Sequence, residues 1–116
     1  MKSILVIFAL LFSTTAFAQE APKCNSPEQV IARNAETIKV IEKNEGIKVT
    51  GPVTVSGDTA IKLIKALTGK DIPVTDLLVY KFGNDEVVVN VFVKGCEVGV
   101  MSGDPASFEA ALAKVQ

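Results

Sequence analysis

The segment "LLVYKFGNDEVVVNVFVKG", residues 77–95, limits the possible folds more than any other part of the chain. Two runs of valine, leucine and aromatic residues flank Gly83-Asn84-Asp85. Gly and Asn tolerate the positive φ that tight turns require, so the segment reads as a β-hairpin. Leu78, Tyr80 and Phe82 alternate on its first strand, and Val87, Val89, Val91 and Val93 alternate on its second. The other face of the second strand carries Val88, Asn90, Phe92 and Lys94, a mixed set. Strands this apolar invite aggregation unless they are covered. "CEVGVM", from Cys96 onward, either forms a third strand after a turn near Gly95 or prolongs the second.

Three helical patterns supply the cover. "SPEQ" starts the first, with Ser26 as N-cap, Pro27 at N1 and Gln29 completing a capping box. Ile31, Ala35, Ile38 and Ile41, with Val30 beside them, form its expected apolar stripe, and Gly46 ends it. The second runs from about Asp58 to Thr68, with Ala60, Leu63, Ile64 and Leu67 on one side and Gly69 as its stop. The third follows Asp104-Pro105 and carries Phe108, Ala111, Leu112 and Val115 at helical spacing. Between the first two lies "IKVTGPVTV", where Ile47, Val49, Val53 and Val55 would share one strand face. Pro52 cannot donate to a ladder, so this strand belongs at an edge, carries a bulge or divides into a short hairpin. The expected fold is α+β, in the order α-β-α-β-β-(β)-α. A small, mainly antiparallel sheet of three to four strands carries about three helices on one face.

The start of the chain bears on where such a domain works. Lys2, the apolar run Ile4–Phe12 and Ala16-Phe17-Ala18 make the n-region, h-region and A-x-A site of a secretory signal peptide. The competing reading is a retained anchor or a buried helix, but the run is far short of the roughly 20 residues that span a bilayer. Cleavage after Ala18 would leave residues 19–116 as a single exported domain, periplasmic or extracellular, in the style of a bacterial protein. Cys24 lies six residues beyond Ala18 and follows Pro22-Lys23, which argues against a lipid anchor. No second long apolar run is present, so no stable membrane insertion is expected after cleavage.

Cys24 and Cys96 are the only cysteines. In an oxidising compartment an even count favours a disulfide, and two cysteines allow one intramolecular pairing. The bridge closes a loop of about 73 residues, for which the chain-entropy model gives roughly 4 kcal/mol. The chemical reading of Cys96 as a nucleophile lacks a base, because the chain has no histidine. Two thiolates without histidine do not make a usual structural zinc site.

Other candidates for chemistry are weak. Gly95, Gly99 and Gly103 recur before a helix but match no phosphate-loop pattern, and turn glycines explain them. Asp85-Glu86 sits at a hairpin tip, where carboxylates are solvated. Beyond the leader, 11 basic residues face 13 acidic ones, which gives no electrostatic footprint for nucleic acid. No metal, cofactor or catalytic residue is expected. Residues 48–67, "KVTGPVTVSGDTAIKLIKAL", resemble the strand–turn–strand–helix unit of BON domains, found in exported proteins that attach to envelopes. The likeness spans these residues alone, holds no diagnostic motif, and carries over no residue role. Asn90 stands out, because it interrupts a valine strand. Tyr80, Val88, Asn90 and Phe92 are therefore the candidate binding surface, on a sheet face taken to be open. The functional expectation is a non-catalytic exported module that binds or inhibits a protein partner. The alternatives are a small apolar-ligand carrier or a histidine-independent hydrolase.

Overall fold

A computed structural model describes residues 24–115. The expected signal peptide, the leader residues 19–23 and Gln116 lie outside the described residues. Helix α1 spans Pro27–Glu45, strand β1 Val49–Ser56, helix α2 Gly57–Thr68, strands β2, β3 and β4 Asp76–Phe82, Glu86–Val93 and Cys96–Gly103, and helix α3 Pro105–Val115. The strands form one antiparallel sheet in the order β1-β2-β3-β4. The fold is α+β as expected, and "CEVGVM" belongs to a separate strand. Lys94 and Gly95, both with positive φ, make the two-residue turn that reverses the chain into β4. Thr75 fastens this turn, because its Oγ1 accepts from the Gly95 amide at 3.0 Å while its own amide donates to Phe92 O at 2.8 Å.

The helices do not share one face. Leu77, Val79, Val87, Val89 and Val91 pack with Ala60, Leu63 and Ile64 of α2, Val74 of the connector and Ala111 of α3. Leu78, Tyr80, Phe82, Val88 and Phe92 pack on the other side with Val30 and Ile41 of α1. The one-face expectation is corrected by β2 and β3 themselves. Their apolar residues do not skip positions, and a strand that is apolar on both faces needs cover on both. Each fully buried Leu, Val or Phe contributes about 1.5–3 kcal/mol, so neither layer is dispensable.

Local signals set the helix ends. Ser26 Oγ accepts from the Gln29 amide at 3.3 Å and Gln29 Oε1 accepts from the Ser26 amide at 2.8 Å, which completes the capping box of α1. Asp104 Oδ1 accepts from the Ser107 amide at 2.7 Å and so caps α3. That bond holds the Asp104 carboxyl below its ordinary range.

Two bulges rephase the edge strands. In β1 the register slips between Thr50 and Val53, at the cis Gly51-Pro52 bond. Val49 therefore joins the α1 side, whereas Val53 pairs with Val79 and Val55 packs on the α2/α3 side. The expectation that Val49, Val53 and Val55 share one face fails because one extra residue inverts the alternation. In β4 the slip falls between the partners of Val91 and Phe92, with Val98 as the extra residue. Glu97 opposite Phe92 and Val100 opposite Asn90 thus lie on the same face, beneath α1.

The Cys24–Cys96 disulfide is present, with a Cα–Cα distance of 4.9 Å. Beside it the Glu97 amide donates to Asn25 O at 2.9 Å, so the chain just before α1 is tied to the start of β4 twice.

Gly51 is fixed by its surroundings. Its φ is 121°, and a Cβ there would stand 2.6 Å from Val79 O. Gly51→Ala is expected to destabilise the fold by about 3 kcal/mol, read as a lower urea midpoint at unchanged m. An unchanged midpoint would refute the bulge geometry.

Candidate functional site

Tyr80, Val88, Asn90 and Phe92 do come together on one sheet face, through the register Tyr80 opposite Val88 and Leu78 opposite Asn90. That face is not open. The four residues are 3%, 3%, 1% and 0% exposed, because α1 lies over them. The expected exposed surface is therefore a buried layer, and the reason sits in α1. Its stripe is not centred on Ile31, Ala35 and Ile38. Val30, Asn34 and Ile41 are its buried residues, while Ala35 is exposed. The helix is turned so that Asn34, a residue the apolar pattern passes over, faces Asn90.

A polar chain runs through this layer. Asn34 Nδ2 donates to Asn90 Oδ1 at 3.0 Å, and Asn90 Nδ2 donates to Glu97 Oε2 at 2.9 Å. Arg33 closes it with a two-pronged pair to Glu97, at 3.0 and 2.9 Å. The Glu97 side chain is 7% exposed and that of Arg33 39%, so the chain leads from the domain's edge to its core. Buried polar groups cost little only when they are paired, and here both asparagines are. The arrangement therefore explains Asn90 as a fixing point for α1 rather than as a contact for a partner. No periodicity marks Arg33 and Asn34 as polar residues with inward partners in an amphipathic helix, and the face of Glu97 depends on the β4 bulge. The one visible signal was Asn90, which implied a polar mate.

Tyr80 Oη also ends in this layer. It is buried, and no hydrogen bond of acceptable geometry reaches it. Burial pushes its pKa up, while the nearby Asn34 amide and the Arg33 charge pull the other way.

Two open grooves lie on the opposite side of the sheet, beside α3, and another, of about 200 Å³, lies on the α1 side between Ile31, Ala35, Ile38, Val49 and Tyr80. One groove of about 350 Å³ runs between α2, α3, β3 and β4, with Leu67, Val87, Val89, Met101 and Phe108 as its apolar lining. Ser102, Asp104 and Ser107 stand at its polar end. A second, of about 210 Å³, flanks α3 on the β1 side, over Val53, Val55, Val79 and Leu112, with Thr50, Lys81 and Glu109 around it. Phe108 borders both. The helical spacing of Phe108, Leu67 and Leu112 predicts places in core stripes. They are only partly buried, and Ala111, 7% exposed, is the one buried residue of α3.

Among the described residues, no group of three or more Cys, Asp or Glu side chains is placed to hold a metal ion. No described helix is long and apolar enough to cross a membrane. No family model, curated protein or solved structure matches the chain.

Two measurements probe the buried layer. Asn34→Ala and Asn90→Ala should each cost about 1–3 kcal/mol, and the double variant should cost less than their sum by about 1 kcal/mol. Strict additivity in urea unfolding would refute the Asn34–Asn90 bond. Tyr80 is the only tyrosine, so tyrosinate absorbance reports it alone. Its folded pKa lies above the ordinary value of 10.0. The stability it lends is thus whole below 10.0 and is lost as pH rises through the folded pKa. Alkaline titration should show ionisation delayed past the ordinary value and coincident with unfolding. A normal titration in a folded protein would contradict its burial.

Proposed function

We propose that this chain is a small exported domain of non-catalytic type that holds a small, mainly apolar ligand in the groove between α2, α3, β3 and β4. The observation that carries this reading is the groove itself. At about 350 Å³ it falls within the range of small-molecule sites, and it joins an apolar lining to a few polar groups at one end. The disulfide and the signal-peptide pattern support export. The lack of histidine supports a binding role over catalysis. Docking of a protein was the first expectation, but its intended surface lies under α1. Another site favours that second reading. Val53, 62% exposed on edge strand β1, borders the second groove, where an added strand could place an apolar side chain.

Ser107 is exposed at the mouth of the first groove, and its backbone, not its side chain, accounts for the main cap bond of α3. Ser107→Trp should leave the fold intact and weaken binding of an apolar fluorescent probe at least about tenfold, or 1.4 kcal/mol. Native mass spectrometry of the protein from its own source should show a co-purifying small molecule that the variant loses. Equal probe affinity in the two proteins, with no retained small molecule, would sink the ligand reading.

A further inference from the structure

The sheet register links the two grooves. Val53 lies opposite Val79, Val79 opposite Val89, and Val89 opposite Met101. Directly opposed residues share a face, so these four side chains form one apolar row across all four strands. At about 4.8 Å between strands the row is roughly 14 Å long. Its β3–β4 end lines the first groove and its β1–β2 end lines the second. Phe108, which borders both and is only partly buried, stands over the middle of the row.

We propose that the two grooves are a single site for an elongated ligand, a single-chain amphiphile with an uncharged, hydroxyl-bearing head, lying along Val53, Val79, Val89 and Met101 after Phe108 swings aside. This rests on the ligand reading above and gives the ligand's shape and charge. Shape follows from the row, which joins the two grooves end to end, with Val55 beside it in one and Val87 in the other. Charge follows from the two mouths. Asp104 stands at one, and at the other Lys81 faces Glu109 at 3.9 Å, so neither presents net positive charge. A carboxylate head is disfavoured at both ends. The hydroxyls of Ser102, Ser107 and Thr50 and these carboxylates suit a neutral head that donates and accepts hydrogen bonds.

The test is calorimetric titration of the disulfide-bonded protein with straight-chain alcohols of rising length, and with the matching carboxylates. Affinity for the alcohols should rise about fourfold per added methylene, the factor that corresponds to burying each in an apolar site, until the chain spans the row. The carboxylates should bind more weakly at each length. Val53→Arg, at an exposed position, should hold long alcohols to the affinity of short ones and leave short ones unchanged. Phe108→Ala should tighten the long alcohols. Binding that stops improving at a length filling only the first groove, with Val53→Arg neutral, overturns the joined site and leaves the ligand reading standing. Equal or tighter binding of carboxylates overturns the uncharged head. No binding of any member overturns both readings.

Discussion

β3 has no face that water can share. Its residues from Val87 to Phe92 are all buried, five of them valine or phenylalanine and one asparagine. An antiparallel sheet usually leaves one side wet, and this one cannot. The rest of the molecule answers that constraint. α1 must cross one face and the α2/α3 pair the other. The chain before α1 must be anchored near β4 for the helix to lie where Val88 and Phe92 need it. The disulfide and the Asn25–Glu97 bond supply that anchor. The two layers are built differently, however. Beneath α1 the layer carries a paired polar chain. Beneath α3 lie two grooves, and Ala111 is the one buried residue of that helix.

The polar chain decides orientation more than stability. Asn34, Asn90 and Glu97 exchange hydrogen bonds with water for hydrogen bonds with each other, a nearly balanced trade. Any rotation of α1 that moved Asn34 and Arg33 away would leave Asn90 Oδ1 without its donor and the Glu97 carboxylate without its cation, with only the Asn90–Glu97 bond kept. The helix is thereby held to one setting. The Val98 bulge is part of the same device, because without the extra residue Glu97 would project among Val89, Val91 and Met101. Registry is the best-attested use of buried polar groups, and the fixed setting of α1 is an instance.

Much of this fold is legible in the residues, and the illegible part has identifiable causes. Caps, turns and strands follow from local chemistry, so Ser26, Gly46, Gly69, Gly83 and Asp104 mark their elements where expected. The disulfide follows from counting. The two-sided cover was also readable, since "VVVNVF" leaves no polar alternation, but assigning Asn90 to a wet face obscured it. Bulges are harder. Gly51-Pro52 announces an irregularity without saying that it inverts the strand, and beside Val98 only Gly99 hints at one. Long-range pairings such as Asn34 with Asn90 and Arg33 with Glu97 depend on those registers, so no local pattern encodes them. The grooves are further removed still. They reflect how α3 settles, a property of side-chain fit and not of hydrophobic period.

The covalent bridge divides the chain unevenly. Residues 24–96 lie inside one closed loop, whereas most of β4 and all of α3 lie beyond it. A constraint on the unfolded chain acts on the part it encloses, so α3 draws no direct benefit. It is seated by Ala111 and the partly buried Phe108, Leu112 and Val115, on the side of the sheet away from the polar chain. The domain thus has a part enclosed by the loop and a part outside it, and Phe108 of the outer part borders both grooves. Whatever enters there meets the one described helix that the bridge does not enclose.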